Sequence, residues 1–318
     1  MGAGEIVEML NEPINKLIDS VSGAIGKAYQ PRHIRKMAEA KAYEIKMISE
    51  QLRENSDVPI IYDAKGISMD TTNFEDLAKR ASSRLAYQEI KKQENIDSVI
   101  DNAYSELEGK ELESEENVDN DWMIRFINSV EDISNEKMQI IWGKILAGEI
   151  INPNSVSLRT LDILRNLSKN EAKLFEKICN YIINERYIYN DDDILKKYEI
   201  IYADMLNLAD YGLINSSMLL SNNININENE VMLFKNDEYI VMTKSNTENI
   251  EISLPIFLLS EAGKELSKIV NKKVNSNYIF DVANDIKEKN QNINVAVYKI
   301  TSIIDNNVTF ERENLLNQ

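Results

Sequence analysis

Residues 119–178 read DNDWMIRFINSVEDISNEKMQIIWGKILAGEIINPNSVSLRTLDILRNLSKNEAKLFEKI, and their periodicity decides the fold class. Trp122, Phe126, Ile127 and Val130 recur at spacings of one, three and four, as do Met138, Ile141, Trp142, Ile145 and Leu146. That is the pattern of helices with one apolar face. Gly148 is the expected stop of the second helix, and Pro153 enforces the break. Ser157 is placed to cap a helix carrying Leu158, Leu161, Leu164 and Leu167, and Ser168 with Glu171 forms a capping box for one bearing Leu174, Phe175, Ile178, Cys179 and Ile182. Both tryptophans lie on apolar faces, where core burial is the default over ligand stacking.

Working outward, ten Gly and five Pro in 318 residues are few, which favours long helices over turn-rich sheet. The expected fold class is mainly α: N-terminal long amphipathic helices and a helical bundle, followed by a winged-helix-like α+β C-terminal domain. The formal charge is -17, so general attraction to nucleic acid or anionic lipid is excluded and any such contact needs a local basic patch or apolar insertion. One Cys makes no internal disulfide or thiolate zinc site, and the single His33 makes no histidine cluster.

Toward the N-terminus, Val7, Leu10, Ile14, Leu17 and Val21 recur every three or four residues, with Ile6, Ile18 and Ile25 widening the stripe. Glu8, Asn11, Lys16, Asp19 and Ser20 lie opposite, which makes an amphipathic helix that Pro13 kinks or delays. Two fates are open to it. It packs in a bundle or coiled coil, or it is a conditional membrane helix hidden at rest and inserted after oligomerisation. Four acids against Lys16 and Lys27 mean that apolar area, not charge, would drive insertion. No signal peptide and no run of about 20 apolar residues is recognised, so the chain is expected in the cytoplasm at rest.

The next stretch, PRHIRKMAEAKAYEIKMISEQLREN from Pro31, holds six Lys and Arg against four acids. Arg32, Arg35 and Lys36 face solvent by default, or contact headgroups or an acidic partner beside an inserted first helix. A short extended stretch at 58–63 precedes a long helix from near Thr72, with Phe74, Leu77, Ala78, Ala81, Leu85 and Ile90 on one face. Between Asp97 and Asp121 ten acids meet only Lys110, a local charge of -9, and residues 108–120 read as an acidic hinge.

Beyond Asn190, short helices at Asp193–Lys197 and Ile201–Tyr211 end in LADYGLI, similar to the close of a winged-helix recognition helix. VMLFK and EYIVMTK form a candidate hairpin around Asn236 and Asp237. LPIFLLSEAGKELSKIV at 254–270 reads as strand then helix with Ser260 as N-cap, followed by a helix at Tyr278–Lys289 and a strand at Asn294–Ile300. The recognition-helix region offers Lys196 and Lys197 but also Glu199, Asp204 and Asp210, so protein interaction is expected ahead of DNA readout, with Lys268, Lys272 and Lys273 as the local counterweight.

Enzyme signatures are absent from the sequence. The four Gly-Lys pairs continue as GKAY, GKEL, GKIL and GKEL, so none is a phosphate loop, and there is no G-x-G-x-x-G after a strand and no G-x-S-x-G elbow. Asp191, Asp192 and Asp193 read as a helix N-terminus rather than a cation site. No catalytic residue, cofactor or metal is expected.

The string WGKILAGEIINPNSVSLRTLDILRNLSKNEAKLFEKI resembles the signature of an uncharacterised bacterial family found among phage-associated and defence loci. It is similar in layout to the abortive-infection Abi-alpha proteins, through Trp142, Ile145, Leu146 and Ala147 and then Ser157, Leu161, Leu164, Ser168 and Ala172. The resemblance implies an antiphage effector that senses a phage component, such as a phage structural protein, forms a homo-oligomer and disrupts the bacterial inner membrane by pore formation. Val7, Leu10, Ile14, Leu17, Val21 and Ile25 would be its working face. The alternative is a winged-helix transcriptional regulator or protein-interaction adaptor of a phage-related locus. The expected organisation is an amphipathic helix at 1–30, a long helical region at 31–107, the hinge at 108–120, a helical signature region at 121–186 and the winged-helix-like domain at 187–318.

Overall fold

The fold is that of a computed structural model, which describes residues 12–25, 61–63, 66–68, 71–215, 217, 220–227, 230–245, 249–304 and 307–317. The chain divides into two compact units, Met1–Leu158 and Arg159–Gln318.

In the first unit the described elements are α1 (Glu12–Ile25), a hairpin of β1 (Ile61–Asp63) and β2 (Gly66–Ser68), α2 (Thr71–Leu107), α3 (Asn120–Val130) and α4 (Glu136–Ile151). The apolar faces converge on one core: Leu17 and Val21 from α1, Val99, Ile100 and Leu107 from α2, Phe126 and Val130 from α3, and Trp142, Ile145 and Leu146 from α4. Trp122 stacks on Phe126 at 5.1 Å between centroids, and Phe126 meets the edge of Trp142 at 5.4 Å. The Trp122 indole spends its one donor on Val156 O at 2.7 Å, so the ring is buried without leaving an orphan N–H. Asp119 caps α3 and Asn135 caps α4. Along α2 the core face begins near Ile96, while Leu77 and Leu85 further up are exposed.

Gly143 is where α2 and α4 touch. A Cβ there would stand 2.5 Å from Asn102 Cβ, so only glycine permits this approach. Gly148 does not stop α4, contrary to the sequence expectation: the helix runs on to Ile151 and ends at Asn152, just before Pro153. Burial of Glu149 and Ile150 beyond it outweighs the modest helix cost of one glycine.

The second unit holds the rest of α5 (Leu158–Asn166), then α6 (Lys169–Cys179), β3 (Tyr187–Tyr189), α7 (Asp192–Lys197), α8 (Tyr202–Asp210), β4 (Leu220–Ile226), β5 (Val231–Lys235), β6 (Tyr239–Ser245), β7 (Ile250–Leu258), α9 (Glu261–Ile269), α10 (Ser276–Lys289), β8 (Ile293–Ile304) and β9 (Asn307–Phe310). The expected capping box opens α6, with Ser168 N donating to Glu171 Oε2 at 2.6 Å and Glu171 N to Ser168 Oγ at 3.3 Å. Two antiparallel sheets run in the orders β3-β7-β4 and β5-β6-β8-β9.

These sheets correct the fold class: the protein is mixed α and β, not mainly α, although an α+β C-terminal half is as expected. Helix periodicity in the first half says nothing about a second half whose cores are built on strands. Ile252, Leu254, Ile256 and Phe257 of β7 and Ile240 and Val241 of β6 are buried there. The short β3, the Asn-rich β4 (LSNNINI) and β9 have no counterpart in the sequence reading. In the three-stranded sheet β7 lies between β3 and β4 and pairs antiparallel with both. The hairpin at VMLFK and EYIVMTK forms as β5 and β6, closed by Asn236 Oδ1 accepting from Glu238 N and Tyr239 N. It lies between β4 and β7 in the chain and belongs to the other sheet.

Candidate functional site

The candidate surface is built on α8, the helix that precedes β4. Its entry is set by Ile200, fully buried after a left-handed Glu199 at φ 56°, and by Asp204 Oδ2, which accepts from Ile201 N at 3.1 Å. Met205 and Leu208 turn inward and are buried. Its exit is locked by a glycine: Gly212, at φ 76°, carries the turn, and its carbonyl accepts from Ser260 Oγ at 2.6 Å. Leu213 O then lies where a Cβ on Gly263 of α9 would be 2.0 Å away. The LADYGLI close and the SEAG start therefore fit each other with no room for a side chain.

With its inner face fixed, α8 presents Ile201, Tyr202 and Leu206 outward at 56%, 49% and 41% exposure. Tyr202 leans on Phe257 at 6.3 Å between centroids, which holds its ring in place. Leu206 and Asp210 follow one turn apart on the same side of the helix. Asp210 and Tyr211 line a cleft of about 370 Å³ with Arg159, Asp162, Ile163 and Glu171 of α5 and α6.

Several cations near this helix have polar partners, Lys177 among them, whose Nζ donates to Glu199 O. Lys197 Nζ lies 2.7 Å from Asp281 Oδ2 of α10, and Tyr198 donates to the same carboxylate. Lys196 sits at 4.0 Å from Asp193. Lys289 bridges Asp191 and Asp285, both at 2.8 Å, and Tyr189 Oη donates to Asp285 Oδ2 at 2.6 Å. Burial is the largest single influence and works against charge on Asp191 and Lys289, but the hydrogen bonds and charges around them together outweigh it. Lys289 and the Ile194 and Asp193 amides hold the carboxyl below its ordinary range, and Asp191 and Asp285 hold the ammonium above its own. Burial, reinforced by a carboxylate acceptor, pushes the Tyr189 and Tyr198 phenols up and keeps them neutral donors. Asp191 also caps α7, accepting from Asp193 N and Ile194 N, both at 3.1 Å, as the sequence suggested for the acidic triplet. Cys179 is buried and its thiol is pushed up to about 12 by desolvation, which leaves it inert as a nucleophile. Among the described residues no group of His, Cys, Asp and Glu could hold a metal ion.

The residues assigned to membrane insertion fall only partly within the described residues. Ile14, Leu17 and Val21 are buried in the core of the first unit, and Ile25 is half-buried. Val7 and Leu10, and the headgroup candidates Arg32, Arg35 and Lys36, lie outside the described residues. No described helix is long and apolar enough to cross a membrane. The outward face of α8 was missed in the sequence reading. Its signal is present: YADMLNLAD has more apolar residues than one buried face can use, since Met205 and Leu208 fill it and Tyr202 and Leu206 are left over.

The sequence model of the family described as "Protein of unknown function (DUF2806)" matches residues 79–192 and 183–283, together well over half of the chain and including α8. No curated protein and no solved structure matches.

Proposed function

The chain belongs to the DUF2806 family, and we propose that it acts as a protein-interaction adaptor of a phage-related locus, using its α+β half to hold a protein rather than DNA. One observation carries this reading: α8 turns Tyr202 and Leu206 outward beside Asp210, where phosphate contacts would need clustered cations. Aromatic and aliphatic side chains held rigid on a helix are the groups that anchor protein interfaces. Lys197 lies against Asp281 and Lys196 is 4.0 Å from Asp193, while Lys177 donates to Glu199 O just before α8. Gel-shift titration of the full chain against mixed-sequence duplex DNA tests the reading. No retardation at physiological salt is expected. Retention there, falling linearly with the logarithm of salt concentration and lost in Leu206→Asp, overturns it.

A second reading rests on the layout shared with Abi-alpha proteins and on one feature of α1. In that reading the protein is a dormant abortive-infection effector, cytoplasmic at rest, that senses a phage structural protein, oligomerises and breaches the inner membrane. The burial of Ile14, Leu17 and Val21 favours it only in the sense that a conditional membrane face must be hidden before activation. Following the protein between cytosol and membrane before and after infection, with its size in each fraction, tests it. An unchanged soluble distribution in dying infected cells would sink it.

A further inference from the structure

We infer that β5 is a pairing edge for a second copy of this chain, joining two four-stranded sheets about a two-fold axis at Met232. The inference does not rest on either functional reading above. It starts from where the backbone groups of β5 point. In an antiparallel ladder successive residues turn their N–H and C=O alternately toward one neighbour and the other. Asn236 N donates to Tyr239 O at 3.0 Å where the hairpin closes, so the even-numbered residues of β5 face β6 and the odd-numbered ones face away. Lys235 follows this phase: its outward N–H donates to Asn184 Oδ1 and its outward carbonyl accepts from Asn184 N, both at 2.8 Å. Asn184, at φ 51°, thus stands in for a neighbouring strand at that end. Val231 and Leu233 have no such substitute. β5 is the end strand of its sheet, and among the described residues nothing takes their outward amides and carbonyls.

Sheet edges are ordinarily blunted by charge, proline or a bulge. VMLF has none of these, and its pairing with β6 is regular. Met232 and Phe234 are buried on the inner face, while Val231 and Leu233 stand 42% and 48% exposed on the outer one, with Met242 directly across from Leu233. The backbone then specifies the occupant. Lys235 is closed by Asn184 and Glu230 N turns back to Asn227 O, which leaves the outward groups of Val231 and Leu233 alone. A two-fold pairing centred on Met232 sets Val231 opposite Leu233 of the second copy, and Leu233 opposite its Val231. Both pairs are then of the doubly hydrogen-bonded kind, and every outward group of the two residues is used. Centring on Leu233 instead would set Val231 against Lys235, whose groups Asn184 already holds. The side chains agree with the first register, since each seam pair is aliphatic against aliphatic and no like charges are opposed.

A free extended peptide would gain the same bonds but must first be ordered, whereas β5 of a second copy is already held straight by β6. The seam is small, so the dimer is expected in the micromolar range rather than the nanomolar. Sedimentation velocity of the full chain from about 1 µM to about 200 µM spans such an affinity. Leu233→Pro deletes an outward amide without touching a bond to β6. Leu233→Lys keeps every backbone group and adds the charge by which edges are blunted. Ile140→Lys makes the same charge change at an aliphatic of the first unit that is 43% exposed. Register is read by oxidising chains that carry Val231→Cys together with chains that carry Leu233→Cys. Opposed positions stand about 5.5 Å apart between Cα atoms, within reach of a disulfide, while like positions are diagonal and out of reach. Cys179 is buried and does not compete.

The expected result is a shift from monomer to dimer as concentration rises. Leu233→Pro and Leu233→Lys each raise the dissociation constant at least about tenfold, the two-fold axis doubling every lost contact, while Ile140→Lys stays within about twofold. The mixed cysteine chains give a disulfide-linked dimer that neither gives alone. Thermal melts identify any loss of fold, and Leu233→Lys carries the test if Leu233→Pro does not fold. A chain that stays monomeric throughout overturns the inference and leaves this edge to an extended strand of another protein. A dimer that a folded Leu233 variant leaves unchanged, or in which the mixed cysteines link no better than either alone, is built elsewhere and overturns it as well.

Discussion

Tyr189 Oη donates to Asp285 Oδ2 at 2.6 Å and so ties β3 to α10 across 96 residues of sequence. The same carboxylate takes Lys289 at 2.8 Å, and Tyr189 N donates to Tyr278 Oη at 3.0 Å. The rings of Tyr181, Tyr198 and Tyr278 pack within 5.5 Å of one another alongside. A buried phenol with an ionised acceptor makes one of the stronger neutral-donor hydrogen bonds. Tyr189→Phe removes it and leaves Asp285 with Lys289, so the expected loss is about 1.5–3 kcal/mol in urea unfolding, with the fold retained. A loss below about 0.5 kcal/mol would show that water replaces the phenol without penalty.

Gly143 and Gly148, five residues apart in α4, predict opposite signs. Gly143→Ala drives a Cβ against Asn102 and the α2 backbone, with Ala103 N at 3.0 Å, and is expected to cost about 1–3 kcal/mol. Gly148→Ala meets nothing within 4 Å in a helical position and is expected to stabilise by about 0.5–1 kcal/mol. Thermal melts of the two variants check the pair.

Leu17 is fully buried in the first unit, so Leu17→Ala is expected to destabilise it by about 2–5 kcal/mol. Leu17→Asp places a charge in the same site and is expected to unfold that unit. Loss of toxicity in Leu17→Asp would therefore report misfolding of this unit rather than loss of a membrane-active face. Circular dichroism and proteolysis of both variants measure the effect.

Glu149 is 1% exposed and accepts from Asn154 N at 2.7 Å, Ser155 Oγ at 3.1 Å and Val156 N at 3.0 Å, closing the loop after α4. Burial raises its carboxyl above the ordinary 4.5, and these donors only partly offset that. A folded-state value above the unfolded one means that the native state favours the protonated form. The contribution is therefore fully present below about pH 4.5 and declines as pH rises through the folded value. Glu149→Gln removes this dependence. The unfolding free energy of the parent is expected to fall relative to the variant between pH 4 and pH 7, as read by urea titration at both. A parallel pH response would contradict it.

The capping box at Ser168 and Glu171, the cap at Asp191, the stripes of α3 and α4 and the strand-to-helix step at Ser260 were legible in the sequence because each is local. Turn chemistry and 3.6-residue periodicity act within a few residues, and no partner is needed to read them. The same logic failed at Gly148, where a local stop signal was overruled by the burial of the residues after it. It also failed at β4, where Asn222, Asn223 and Asn225 argue against a strand until pairing with Ser253, Leu254 and Glu251 supplies the ladder.

By itself, then, the sequence determined the helices of the first half, an α+β second half, and a charge balance hostile to nucleic acid. Which apolar residues are spent inside and which are left outside was decided only by tertiary structure. Leu17 and Leu206 are both leucines on amphipathic helices; the first is fully buried and the second 41% exposed. Periodicity states that a helix has an apolar side, but burial depends on whether other elements arrive to cover it, and those come from positions far away in the chain. For α8 the covering of Met205 and Leu208 leaves Tyr202 and Leu206 on the surface beside Asp210, and that remainder is where the function is proposed to lie.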